Sequence, residues 1–317
     1  MRLRATVGFI IVLALTIVPN AHGKDPEYTR TEDIIYGRKF GTALTMDVFR
    51  PQADANGAAI VSVVSGGWFS AHEAVPKKPI GGGYTVFAVV HGSQPRFTMQ
   101  DAMRDINRAV RFIRFHAKDY GIDPDRIGIM GGSAGGHLSL MQGLKPLPPD
   151  ETSDDPVERE SSRVQAVACF FPPTDFLNYG EPGKLAWTTT LKWLPSPFAF
   201  ERLEPGNDKQ VYSRHFVNVS ADEQKEIAKE MSPINWVSAE APPTLIIHGD
   251  ADRVVPFEQS ERLVKKFEEA KVPVKLEDRK GRDHGWPDTA PDLALMREWF
   301  DQHLAAKKTA GQESKPN

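Results

Sequence analysis

Cysteine is nearly missing from this sequence: Cys169 is the single one in 317 residues. No intramolecular disulfide can form, and no cysteine cluster exists to hold zinc or an iron–sulfur group. The neighbours of Cys169 (Val167, Ala168, Phe170 and Phe171) are apolar, which suits a buried structural thiol better than a nucleophile. An excess of one charge is missing too. The formal net charge is -3, which argues against a nucleic-acid partner, for which a basic face is expected. Neither His-Glu-x-x-His nor Gly-x-x-x-x-Gly-Lys-Ser/Thr occurs, so neither a metal nor a nucleotide cofactor is expected. Internal repeats are absent. Hydrophobic content of 40% and charged content of 26% are those of an ordinary globular chain.

Long uncharged apolar runs are also scarce, and the longest stands at the start. Arg2 and Arg4 precede Ala5 to Val18, Pro19-Asn20 break the run, and Ala21-His22-Gly23 offer small residues at the end. These three parts are those of a secretory signal peptide. The run is short for a bilayer span, which needs roughly 20 residues. We therefore expect a signal peptide over 1–23, a secreted or periplasmic protein, and no membrane anchor after cleavage. Residues 305–317 are polar and read as a disordered tail. That leaves 24–304 as one domain.

Within the domain, strand-like and helix-like runs alternate from about residue 58. Ala58–Val64 and Tyr84–Val90 are continuous apolar runs, as in strands buried on both faces of a parallel sheet. Further strands are expected at Arg126–Met130, Val164–Phe171, Pro242–His248 and Val272–Leu276. Met99–Tyr120 has helical periodicity: Ala102, Ile106, Val110 and Ile113 share a face, while Arg104, Asp105, Arg108, Arg111 and Arg114 lie elsewhere. Phe257–Ala270 and Asp292–Leu304 are two more helices. Ile34–Tyr36 and Leu44–Phe49 suit an opening antiparallel pair with its turn at Gly37–Gly41. The pattern predicts an α/β fold, a mostly parallel central sheet flanked by helices. Lys145–Arg163 reads as a surface excursion. Residues 176–234 read as an inserted cap, helical and mobile. In it, Trp187 and Trp193 are candidates to line a substrate pocket, although such residues also serve as core.

One stretch carries chemistry. Ile127-Gly-Ile-Met130 ends in Gly131-Gly-Ser-Ala-Gly-Gly136, and Leu138–Met141 suits a helix. Gly131-x-Ser133-x-Gly135 is a nucleophile-elbow candidate, although alone it could be a plain glycine turn. A serine hydroxyl needs a base and a carboxylate to orient that base. In this type of fold they follow in the order Ser, acid, His. After His248 two histidines remain. His303 lies in the last helical pattern and reads as a surface residue. His284 lies in a polar loop and is the candidate base. Asp250 and Asp252 both follow the strand ending at His248. Asp250 could simply close the turn, whereas Asp252 stands further out. Asp283, next to His284, reads as a loop residue. A developing oxyanion needs N–H donors. Ala134 is one candidate, and Gly67 or Trp68 in Ser65-Gly-Gly-Trp68 is the other. His137 reads as a structural residue at the helix start. Asn218-Val-Ser220 is a glycosylation sequon.

The sequence resembles α/β-hydrolases of the carboxylesterase type, close to bacterial esterase/lipase proteins with a feruloyl or acetylxylan esterase-like core. The matching stretches are Leu44-Thr-Met-Asp-Val-Phe-Arg-Pro51, Asp123-Pro-Asp-Arg-Ile127, Gly131-Gly-Ser-Ala-Gly-Gly-His-Leu138, Pro172-Pro-Thr-Asp175, Ala241–Asp252 with Val255-Pro256, and Asp283-His-Gly-Trp286. The resemblance implies the α/β-hydrolase fold. It also implies Asp252 as the acid, since the family places it at the second Asp of His-Gly-Asp-Ala-Asp. The implied activity is a serine hydrolase cleaving short acyl esters of a small molecule or carbohydrate through an acyl-enzyme. One departure stands out. The family often has His-Gly-Gly-Gly before the Trp, where Val64-Ser65-Gly66-Gly67 stands here. A serine peptidase of the prolyl-oligopeptidase type shares these motifs but usually carries a large N-terminal propeller, and ranks second. A non-catalytic binding protein fits a complete triad poorly.

Overall fold

The continuous apolar runs become the centre of an eight-stranded sheet. The computed structural model describes residues 26–93, 96–189, 191, 201–204 and 215–306, with backbone only at 201–204 and 215–218. The expected signal peptide, Trp193 and residues 307–317 lie outside the described residues. In chain order the strands are β1 (Tyr28–Lys39), β2 (Thr42–Pro51), β3 (Ala59–Val64), β4 (Thr85–Val90), β5 (Ile127–Gly132), β6 (Ala166–Phe170), β7 (Glu201–Glu204), β8 (His215–Asn218), β9 (Thr244–Gly249) and β10 (Val274–Arg279). The helices are α1 (Met99–Phe115), α2 (Ala117–Tyr120), α3 (Ala134–Leu144), α4 (Ala221–Glu230), α5 (Glu258–Glu269) and α6 (Ala290–His303).

The main sheet has the order β1-β2-β4-β3-β5-β6-β9-β10. β1 with β2 and β2 with β4 are antiparallel; every later pairing is parallel. Alternate residues of each inner strand feed two cores. Val61, Ile129 and Cys169 pack with α1, α3 and α5 on one face, whereas Ile60, Ala168 and Ile247 pack with Met296 and Phe300 of α6 on the other. This is the α/β-hydrolase fold, with helices on both faces as the continuous runs require. Cys169 is fully buried, and burial raises its thiol pKa far above the ordinary value. No described helix is long and apolar enough to cross a membrane.

Several expectations shift. The opening turn is only Phe40-Gly41, both at positive φ, and Gly37 lies inside β1 at a register irregularity. The long helix breaks at His116 into α1 and α2. Its charged side is not free. Asp105, Arg111 and Arg114 are buried. Asp105 is taken by Lys39 and the Gly92 amide, and the excursion 145–163 lies over the arginines: Arg111 meets Glu158 and the Pro148 carbonyl, and Arg114 meets the carbonyls of Ser161 and Arg163. The last strand lies two to three residues later than its apolar run suggested, because its pairing with β9 continues through the polar Glu277, Asp278 and Arg279. The inserted segment is not simply helical. It holds the antiparallel ribbon of β7 and β8 as well as α4. α4 forms under a capping box, Ser220 with Glu223. Trp187 sits in a short 3₁₀ turn and packs against the core. His303 is half-buried against Trp299 at 4.3 Å rather than on the open surface.

Candidate active site

Every loop of interest leaves the carboxyl end of a parallel strand, the edge where open α/β sheets bind ligands. At β5 the backbone turns within one residue. Ser133 adopts φ 53° and ψ -120°, a conformation that costs a non-glycine residue of order 1–3 kcal/mol. The flanking glycines explain how the turn closes. A Cβ on Gly131 would stand 2.5 Å from Gly135 backbone, and one on Gly135 would stand 2.8 Å from the Val63 carbonyl oxygen. Ser133 sits at the N-cap of α3, yet its hydroxyl caps nothing. A serine there normally accepts from the next turn. Here its Oγ lies 2.9 Å from Nε2 of His284 instead.

His284 reaches this point from the loop after β10. Its Nδ1 lies 2.7 Å from Oδ2 of Asp252 in the loop after β9. The two loops are pinned together at Gly249, where an added Cβ would meet the Arg282 carbonyl oxygen at 2.2 Å. The Ala251 amide donates to that same oxygen at 3.0 Å. The Asp252 side chain is wholly buried while His284 keeps 20% exposure. Facing a carboxylate, Nδ1 carries a proton, so Nε2 is left to accept from the Ser133 hydroxyl. Asp252 Oδ1 accepts from the amides of Val254 and Val255 at 2.8 and 2.9 Å. Burial alone would raise the Asp252 pKa. Hydrogen bonds from His248 and His284 outweigh it and hold the group well below the usual carboxylate range.

The competing acids go elsewhere. Asp250 accepts from the Gly281 amide and pairs with Lys280, closing the turn as its position suggested. Asp283 pairs with Arg253 and accepts from the His284 amide. Its pKa is lowered to about 2, chiefly by the Arg253 side chain.

Gly66 and Phe69 exchange backbone hydrogen bonds, both 2.9 Å. Between them Gly67 and Trp68 take φ 56° and 64°, the signature of a type I′ turn. Among the described residues, no backbone group takes the amides of Gly67, Trp68 or Ala134. The Ser65 carbonyl accepts from the Gly135 amide at 3.2 Å, which seats this turn beside the elbow. All three expected donors therefore belong to one corner, at the N-terminus of α3, where the helix dipole favours negative charge.

Two residues escaped the sequence reading, and a third does more than it suggested. His248, fully buried, places Nε2 at 3.2 Å from Asp252 Oδ2 and 3.0 Å from the Val255 carbonyl, and Nδ1 at 2.7 Å from Ser260 Oγ. Both Nε2 neighbours only accept, so Nε2 is protonated and Ser260 donates to Nδ1. The signal available was a histidine closing an apolar strand. Phe171 directly follows β6 at φ 34°, and its ring lies 4.4 Å from the His284 imidazole and 5.7 Å from Trp286. His137, expected as structural, is buried and links distant parts. The Trp68 indole donates to its Nδ1 at 3.1 Å, and its Nε2 donates to the Met231 carbonyl at 2.7 Å. Away from this corner, Asp33, Asp47 and His72 gather their ligand-type atoms within 4.8 Å. The Arg30 guanidinium already lies on Asp47 at 2.5 Å, so one of the two carboxylates is paired within the protein itself.

Comparison with known proteins agrees with this architecture. The chain is 29% identical over 303 residues to the probable carboxylic ester hydrolase LipM of Mycobacterium tuberculosis, and that match covers 92% of this chain and 65% of LipM. Esterase LipQ of the same organism is 28% identical, with 77% of this chain and 54% of LipQ covered. This chain thus spans less than two thirds of either relative. Among solved structures, a truncated form of a carbohydrate esterase from gut microbiota superposes with TM-score 0.67 at 25% identity, covering 89% of this chain and 100% of that one. An acetyl ester-xyloside bifunctional hydrolase from Caldicellulosiruptor lactoaceticus shares the fold, with TM-score 0.62, 22% identity and coverage of 89% and 96%. The BD-FAE family matches residues 46–267, and the chain belongs to that family.

Proposed function

We propose that the protein is a serine ester hydrolase. One observation carries this reading: an uncapped serine on a strained elbow, 2.9 Å from an imidazole that is itself 2.7 Å from a buried carboxylate. Ser133 attacks the ester carbonyl as His284 Nε2 takes its proton. Asp252 holds the imidazole in the accepting tautomer and balances the imidazolium charge. The carbonyl oxygen becomes an oxyanion and is received by the Ala134 amide with that of Gly67 or Trp68. Collapse expels the alcohol, which His284 protonates. Water then repeats the steps and releases the acid.

Its substrates are short acyl esters, acetyl or feruloyl in type, carried by a small molecule or a carbohydrate. Two things support this: the ester hydrolase relatives and the likeness at 25% identity to a carbohydrate esterase. The apolar leader 5–18 behind Arg2 and Arg4 supports export to the periplasm or the medium. The test is a panel of p-nitrophenyl acetate and longer esters, acetylated xylan, a feruloylated sugar and a proline peptide. Cleavage of short esters that Ser133→Ala abolishes is expected. Full activity in Ser133→Ala refutes the mechanism, and preference for the peptide refutes the substrate class.

A further inference from the structure

His91 is buried at 3% exposure, follows β4 directly and hydrogen-bonds to Ser70, Gly92 and Ser65. Its Nδ1 lies 2.8 Å from the Gly92 carbonyl oxygen. A carbonyl only accepts, so Nδ1 carries the proton. The Nε2 atom of the neutral ring is then bare, and it lies 2.9 Å from Ser65 Oγ. The Ser65 hydroxyl therefore donates to His91. The ring cannot drift, because the Gly92 amide donates to Asp105 Oδ2 at 2.8 Å and Asp105 pairs with Lys39 at 2.6 Å. Burial also keeps the ring neutral, lowering its pKa to about 4.

Ser65 is the residue from which the Gly66–Phe69 turn springs, and its carbonyl meets the Gly135 amide beside Ser133. Hydrogen-bond donors help a reaction only when they are aimed beforehand at the place where charge appears. A two-residue turn closed by its own two bonds has no intrinsic aim; its base must be clamped. Ser65 stands directly before the glycines, just past the end of β3. Val64 pairs with Val90 across the sheet, so the residue after Val90 is placed to brace the residue after Val64.

We propose that His91 is a positioning residue: by accepting the Ser65 hydroxyl it holds the amides of Gly67 and Trp68 at the oxyanion position. This inference rests on the serine-hydrolase reading above. The test uses the full chain with Ser65→Ala, Ser65→Thr, His91→Leu and His91→Gln. The readouts are kcat and KM for p-nitrophenyl acetate, inhibition by a trifluoromethyl ketone that adds to the serine as a tetrahedral oxyanion, and thermal unfolding. Ser65→Ala and His91→Leu are expected to lower kcat about 10- to 100-fold, somewhat less than loss of a donor outright. KM stays within about threefold, and ketone affinity falls in step with kcat/KM. Ser65→Thr keeps a hydroxyl and His91→Gln keeps an acceptor, so both recover most of the rate. If His91→Leu does not fold, the half-exposed Ser65 still decides the matter. Unchanged kcat/KM in folded Ser65→Ala, with Ser133→Ala inactive, overturns the positioning role alone. Full activity in Ser133→Ala overturns the reading on which it stands.

Discussion

Replacing Asp252 by asparagine separates the acid from its neighbour Asp250. The Asp252 carboxylate takes four hydrogen bonds: Val254 and Val255 amides on Oδ1, His284 Nδ1 and His248 Nε2 on Oδ2. Asparagine has one accepting oxygen and one NH₂. If the oxygen turned toward the imidazoles, the NH₂ would face two buried amides and leave them unpaired, at about 1–3 kcal/mol each. The opposite orientation is favoured. The oxygen stays with the amides, and the NH₂ faces His284 Nδ1. That nitrogen must then lose its proton, which moves to Nε2 and points at Ser133. His248 keeps its bond to the Val255 carbonyl at 3.0 Å, so the loop retains its shape. A base with its proton already in place cannot take another, and the same change of tautomer in a serine protease lowers kcat by about 10⁴. That factor corresponds to about 5 kcal/mol of barrier. Hydrolysis of p-nitrophenyl acetate near neutral pH, with thermal melting as a check on folding, is the assay. Asp250→Asn is expected to remain within about threefold of wild type, as surface changes usually do, because that side chain meets only the Gly281 amide and Lys280. An Asp252→Asn enzyme retaining a tenth of the wild-type kcat, or an equal loss in Asp250→Asn, would refute the assignment.

Ser133→Gly should abolish hydrolysis yet stabilise the fold by about 1 kcal/mol, the relief of its strained φ 53° less the entropy a glycine adds to the unfolded chain. Ser133→Ala keeps its Cβ and should melt like wild type, so a calorimetric scan distinguishes them, and a lower melting point for the glycine variant counts against the strain. Gly249→Ala pushes a Cβ toward the Arg282 carbonyl, 2.2 Å away, so the His284 loop must shift and kcat should drop about 10²-fold; wild-type kcat would show that the loops are not coupled. Burial lowers the pKa of both His91 and His137 to about 4, whereas unfolded histidine titrates near 6.5. Between these values the unfolded chain binds more protons, so this stability is whole above pH 6.5 and declines toward pH 4, by about 3 kcal/mol per histidine. Urea titrations at pH 7.5 and 4.5 should show the decline, smaller in His137→Gln, whose amide can serve both Trp68 and Met231; an equal decline in that variant would mean that His137 is not held neutral.

The parts of the site legible in the sequence share one property: each is imposed by backbone geometry close by in the chain. Gly131, Gly135 and Gly136 are small because backbone passes within 3 Å of where their Cβ atoms would stand, and that demand shows as a run of glycines around a serine. The order Ser133, Asp252, His284 is visible because a parallel sheet delivers every strand's carboxyl end to one edge. What remained hidden depends on contacts between segments far apart in sequence. Periodicity placed the arginines of α1 off the apolar face but could not show what they meet, because it describes one helix and not the excursion 145–163 that lies over Arg111 and Arg114. The ribbon of β7 and β8 formed where no local apolar alternation announced strands. Phe171 carries no motif at all; only the fold brings its ring to His284. The two supporting histidines lie between these extremes. His91 and His248 each stand where an apolar strand ends, a place with little room and little water. A titratable ring at such a place must find partners in the adjoining loops or destabilise the fold. In a sheet whose adjoining loops carry the reactive groups, those partners are the reactive loops themselves. His248 finds Asp252 and His91 finds Ser65, so strand-end histidines mark the loops that the chemistry needs held still.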